Sequence, residues 1–217
     1  MVNCVKGINI EAISCAVPAR KLSIQEYAPD LLTEKSAKRM AKGTGFSSLR
    51  ISDDDTTTAD LVVAAAEPLL DDFGRENIGA LIFVSQTPDY VLPATSHILQ
   101  AKLGLPNNIF CVDINEGCSG YITGLYTAGM LAKQINKSVC LLGGTLFLKL
   151  HLLRIGQLDV FLVMLGQRLL FHQESRTLIL FLLVMVIDQM QLLWKIADIV
   201  KLRILSMMDI CTLMVLV

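Results

Sequence analysis

The chain has 217 residues, 53% of them hydrophobic, and its 19 Lys and Arg against 20 Asp and Glu leave a formal net charge of −1. That length can enclose a sizeable core. The balanced charge supplies no whole-chain attraction to nucleic acid, an anionic membrane or an acidic substrate, so neither nucleic acid nor membrane is an expected partner. Six cysteines (Cys4, Cys15, Cys111, Cys118, Cys140, Cys211) lack paired C-x-x-C spacing, and no metal is expected. The N-terminal MVNCVKGINIEAISC has no apolar core of signal-peptide length. A reduced, cytoplasmic protein with free thiols is expected.

In chain order, Gly7–Ala16 reads as a strand, and Ile24–Leu32 and Lys35–Lys42 as short helices. Asp60–Phe73 is an apolar-periodic helix whose N-cap candidates are Thr56, Thr57 and Thr58. Pro68 inside it predicts a kink or a split. Ala80–Ser85, ALIFVS, is a short apolar run of the buried-strand type. Thr95–Leu103 is helical with Gly104 as its stop, Ile109–Ile114 is a second buried strand, Ser119–Gln134 a helix and Ser138–Leu142 a last strand. Strands alternating with helices imply an α/β layer with a mostly parallel sheet.

The pattern breaks near Gly143-Gly144. All six prolines and all four tyrosines precede that point; beyond it there is no Asn, one Ala, and only Gly156 and Gly166 among glycines. Turn chemistry nearly vanishes there. Leu178–Ile187 is apolar but too short to span a bilayer, and reads as a buried strand or helix. The chain therefore divides into an α/β unit at 1–144 and a tail at 145–217, which is expected to be poorly ordered.

The chemistry concentrates in Asp113–Leu125, DINEGCSGYITGL. Cys118 falls between a strand and a helix start, where free N–H groups and the positive helix end favour thiolate over thiol. A thiolate there is a good acyl acceptor, and Gly117 and Gly120 permit a tight turn and close approach of a substrate. On spacing alone, a buried structural thiol stays open beside the nucleophile. Cys111 and Cys140, in expected core strands, read as buried and inert. His97 reads as a surface or satisfied core residue, and Asp89 as a turn hydrogen-bonding group rather than an acid.

This segment resembles the nucleophile turn of the ketoacyl-acyl-carrier-protein synthase III family, of thiolase-like α/β fold. Ser85–Leu105, SQTPDYVLPATSHILQAKLGL, resembles that family's T-P-D-x-x-x-P stretch, helix and L-G-L ending, and Gly43–Leu49 its T-G-[IF] element. The resemblance covers about residues 5–144, the N-terminal half of the fold. It implies that Cys118 takes an acyl group from acyl-CoA, that a malonyl group on acyl carrier protein then decarboxylates and attacks, and that the Cys118 backbone N–H is an oxyanion donor. It also implies a homodimer in which Leu92 approaches the partner's acyl pocket, with no bound cofactor. The family's second-half His and Asn are not recognisable; His97, His151 and His172 match neither.

Family members continue after the G-G with D-T-x-S-K and D-R-S-T-x-x-L-F-G-D-A-G-x-A. The tail contains neither, yet the adjacent reading frame permits both. Codons for Gly144–Lys149 allow D-T-x-S-K one frame over, and those for Arg154–Phe171 allow D-R-S-T-R-C-L-F-G-D-A-G-T-A-T-A. Those for Met207–Val215 allow Y-D-G-Y-M-Y-T-D-G, similar to a later M-D-G element. Short matches are cheap, but an ordered set in one frame, starting where composition breaks, is not. Loss of one base near the Gly143–Thr145 codons is expected, and with it a truncated chain unable to condense. The competing readings are a related Cys-dependent acyltransferase with a non-malonyl acceptor, and a non-catalytic interaction protein.

Overall fold

The structure, a computed structural model, describes residues 5, 7–27, 29–30, 32–44, 47–117, 119–146, 181–186, 203–206 and 212–216. Strands β1 (Ala12–Ala16), β2 (Arg20–Ser23) and β3 (Ser48–Ile51) and helices α1 (Ile24–Tyr27) and α2 (Glu34–Thr44) form the first part. Then come α3 (Thr58–Phe73), β4 (Ile78–Val84), α4 (Thr95–Lys102), β5 (Phe110–Ile114), α5 (Gly120–Ile135) and β6 (Ser138–Gly144), followed by β7 (Phe181–Val186), β8 (Arg203–Ser206) and β9 (Thr212–Leu216).

Seven strands form one sheet in the order β5-β4-β6-β7-β1-β9-β8. The pairs from β5 to β1 are all parallel, and β9 joins β1 and β8 antiparallel. β4 lies between β5 and β6 and is buried along nearly its whole length, which is why its sequence is one apolar run rather than an alternation. Its side chains still sort by face. Leu81 and Phe83 join Leu99, Leu69, Leu70 and Cys140 on the α3–α4 side, while Ala80, Ile82 and Val84 join Val139, Leu141, Ala128 and Ala132 on the α5 side. The result is three layers, helix–sheet–helix.

α3 starts as its threonines suggest. The Thr57 hydroxyl accepts from Asp60 N, and the Asp60 carboxylate accepts from Thr57 N, a reciprocal capping box. Partial burial pushes the Asp60 carboxyl up, but its bonds from Thr57 and Lys102 together outweigh that and hold it below its usual value. Pro68 does not split α3, which runs unbroken to Phe73. α4 stops at Gly104, whose φ of +61° is the left-handed region that glycine enters at no steric cost.

Four readings of the sequence need correction. The first strand begins at Ala12 rather than Gly7, and α1 is a single turn ending at Tyr27. β5 is an edge strand, paired on one side to β4 and only partly buried, with Phe110 49% exposed. Cys111 is accordingly half-buried rather than enclosed. The antiparallel pair β2–β3 was not anticipated; it packs with α1 and α2 around Ile24, Leu32, Ala37 and Leu49, a small second core. Among the described residues, no helix is long and apolar enough to cross a membrane.

Candidate functional site

The carboxyl ends of β4, β5 and β6 converge, as parallel strands in one sheet must, and the loops leaving them carry the polar groups. After β4 come Ser85, Gln86, Thr87 and Asp89. The Thr87 amide donates to Ser85 Oγ (2.9 Å), and Thr87 Oγ1 lies 2.8 Å from Thr58 Oγ1 and accepts from the Leu146 amide (3.0 Å). Asp89 Oδ1 accepts from the Ala59 amide (3.1 Å), at the start of α3. Asp89 is thus a hydrogen-bonding loop residue, as read from the sequence, but it reaches across to another element. His97 is exposed on α4.

β5 delivers Asp113 and then the loop Asn115–Gly117. Both Asp113 oxygens accept backbone N–H groups at the start of α4, from Thr95 and Ser96, each at 2.8 Å. Ala94, the N-cap, has no side-chain acceptor, so Asp113 caps α4 from the neighbouring strand. The Gly120 N–H donates to the Gly117 carbonyl at 2.9 Å, closing a four-residue turn whose central residues are 118 and Ser119. Ser119, at φ −81° and ψ −14°, has the conformation of the third residue of a type I turn. α5 starts at Gly120, where a Cβ would meet Val84 Cγ1 at 2.7 Å; the missing side chain lets the helix start lie against β4. Gly117 faces the Gln86 amide in the same way, with a Cβ position 3.2 Å from Gln86 Nε2.

Cys118 itself lies outside the described residues, as do His151, His172 and Cys211. The described residues on either side of Cys118, Gly117 and Ser119, lie between β5 and α5. Leu92 follows β4 in an exposed loop with Tyr90 and Val91; Leu92 is 88% exposed. Burial pushes the Cys111 thiol up, with a smaller push from the Asp113 charge, and complete burial pushes the Cys140 thiol up further. Both are poor nucleophiles at neutral pH. Among the described residues, no cluster of three His, Cys, Asp or Glu could hold a metal ion.

Sequence reasoning missed Glu116 and Gln86, which border the turn, and the capping role of Asp113. For Asp113 the signal was an aspartate near the end of an apolar strand. For Glu116 it was a charged residue two places before the candidate nucleophile.

No family model matches the chain. A protein of Campylobacter jejuni assigned as a 3-oxoacyl-[acyl-carrier-protein] synthase 3 is 31% identical over 147 residues, 65% of this chain and 42% of that protein. Beta-ketoacyl-[acyl-carrier-protein] synthase III 2 of Halalkalibacterium halodurans is 28% identical over 142 residues, 64% of this chain and 42% of its own length. The crystal structure of a 3-oxoacyl-(acyl-carrier protein) synthase from Burkholderia xenovorans superposes with a TM-score of 0.54 at 36% identity, covering 60% of this chain and 38% of that one. A further 3-oxoacyl-(acyl-carrier-protein) synthase III structure gives 0.57 at 32% identity, over 65% and 42%. The chain spans less than half the length of these relatives. Over about 65% of its length the chain is similar to 3-oxoacyl-[acyl-carrier-protein] synthases III, and it carries their thiolase-like fold.

Proposed function

We propose that this chain is the nucleophile-bearing half of a synthase III-type condensing enzyme of fatty acid biosynthesis, with Cys118 as the acyl acceptor. The observation that supports this reading is the Gly120 N–H bond to the Gly117 carbonyl, which closes the chain between β5 and α5 on either side of the Cys118 sequence position. The Cys118 thiolate attacks the thioester carbonyl of acyl-CoA, the carbon–sulfur bond to coenzyme A breaks, and free coenzyme A leaves. The Cys118 N–H stabilises the oxyanion of that step. A malonyl group on acyl carrier protein then loses carbon dioxide, and the resulting enolate attacks the acyl carbonyl and releases the thiolate.

The second step needs preorganised donors at the developing enolate, a task for a His and an Asn that no recognisable residue of this chain fills. The chain therefore acylates but does not condense. Leu92, exposed beside the site loops, lines the partner's acyl pocket in a homodimer. The tail from residue 145 is the product of a one-base shift near the Gly143–Thr145 codons. The reading places the protein in the cytoplasm.

The test compares this chain with the product of a gene carrying one added base at those codons, extended into downstream DNA. The present chain is expected to take an acyl group from acyl-CoA and release no carbon dioxide from a malonyl thioester, and the restored chain to do both. Malonyl decarboxylation by the present chain, or a stop codon at once in the restored frame, contradicts the proposal.

A further inference from the structure

α2 sorts its residues onto two faces. Lys35, Lys38, Arg39 and Lys42 recur at spacings of three and four, and all are exposed. Ala37, Met40 and Ala41 fall on the opposite side and pack with Ile24, Leu32 and Leu49. The apolar face is thus used up in the small second core, and the basic face is turned to water. From Lys35 to Lys42 it runs about 10 Å, two helical turns.

Little on the molecule neutralises this stripe. Lys38 pairs with Glu34 at 2.6 Å, but that pair is itself exposed. Among the described residues, Lys35, Arg39 and Lys42 form no ion pair. The strands packed with α2, RKLS and SLRI, carry no acid, and Glu26 of α1 accepts from the Ser23 amide at 2.7 Å. Lys35 and Arg39, and again Lys38 and Lys42, are like charges four residues apart, an arrangement that weakens a helix until an opposing anion relieves it.

The stripe also has a defined place. β1 runs parallel to β7, and through it to β6 and β4, so the chain leaves β1 for α2 at the carboxyl end of the sheet. It returns from β3 to the start of α3, where Thr58 and Ala59 bond to Thr87 and Asp89 of the loop after β4. α2 therefore belongs to the end of the sheet at which α/β folds bind their ligands.

We propose that the Lys35, Lys38, Arg39 and Lys42 face of α2 is a docking surface for an acidic helix of a partner protein. Charge complementarity selects this occupant, because carboxylates at the same three- and four-residue spacing on a facing helix meet all four cations. No aromatic side chain interleaves with the cations to stack bases. The buried apolar side leaves no face to enter a membrane. A formal charge of −1 on the whole chain adds no general attraction for a polyanion of either kind.

The test follows fluorescence anisotropy of a labelled helical peptide, with glutamate at i, i+3, i+4 and i+7, added to the full chain. Binding is expected in about 0.05 M salt and is lost at about 0.3 M. Replacing Lys35, Arg39 and Lys42 together by Gln, a good helix former, is expected to weaken it about tenfold. Arg39→Glu weakens binding more than Lys133→Glu on α5, which changes the net charge equally. A peptide with lysine at the four positions binds the chain in which Lys35, Arg39 and Lys42 are all replaced by Glu and ignores the parent. No binding of the acidic peptide by the parent overturns the proposal, and so does equal weakening by Arg39→Glu and Lys133→Glu. Tighter, α2-dependent binding of a single-stranded oligodeoxythymidine or of phosphatidylserine vesicles also overturns it, in favour of nucleic acid or membrane.

Discussion

Asp113 supplies the acceptor that Ala94 cannot. A helix start needs partners for its first N–H groups, and α4 finds two of them on a carboxylate from another strand. Charge-assisted bonds of this length outweigh neutral ones, and breaking them orphans two partly buried donors. Asp113→Ala is expected to lower stability by about 3 kcal/mol and Asp113→Asn, which keeps one oxygen, by about half of that, measured by urea unfolding. A loss for Asp113→Ala no greater than that of an exposed surface substitution would contradict the capping role. Ser96 offers the reverse case. Its hydroxyl is buried and finds no hydrogen-bond partner among the described residues, so Ser96→Ala should be neutral or raise stability by about 1 kcal/mol. The strand–helix junction between Ile114 and Gly120 was legible because an apolar run gives way there to small residues. Asp113 and Glu116 were not, because their partners lie on α4 or in the following helix turns and only the folded chain brings them together.

At the scale of elements, α5 has two faces. Its Gly120, Gly124, Ala128 and Ala132 form a small, buried stripe at every fourth residue, and Cβ atoms at Gly120 and Gly124 would strike Val84 or Leu141 at 2.7 and 2.9 Å. Ile122, Tyr126 and Met130 form a second stripe at the same spacing, exposed by 50%, 37% and 41%. A helix apolar on both sides is the mark of one packed between two layers. The sheet covers one side, and no described residue covers the other to the same extent. The exposed stripe should bind a hydrophobic dye, and replacing Ile122, Tyr126 and Met130 together with Ser should weaken that signal while the unfolding midpoint changes little. Dye binding unaffected by the triple substitution would contradict this. The elements themselves were legible where local chemistry and tertiary role agree. The threonines before the apolar-periodic Asp60–Phe73 announce α3, and the run Ala80–Ser85 announces the buried strand β4. β5 has a similarly apolar sequence but sits at the edge, and nothing local distinguishes the two positions. β2 and β3 escaped notice because RKLS and SLRI are short and mixed, and gain their strand conformation only from each other.

At the scale of the whole molecule, the chain covers 42% of the length of its curated relatives, and its described core is a three-layer unit whose sheet includes β7, β8 and β9 beyond Gly144. Among the described residues, the α5 stripe and Tyr90, Val91 and Leu92 are the large apolar side chains left exposed together with Phe110. In the proposed reading the acyl-accepting step asks only for the Cys118 thiol, whereas condensation asks for preorganised donors at the enolate as well. The central claim is therefore that acylation resides in this unit and at Cys118. The most direct measurement incubates the full chain with a labelled acyl-CoA, digests it under mildly acidic conditions that preserve thioesters, and maps the label. The account predicts an acyl thioester on Cys118 that is lost in Cys118→Ala, with none on the raised-pKa thiols Cys111 and Cys140. Label on either of those thiols, or an unlabelled Cys118 in a folded chain, would contradict it.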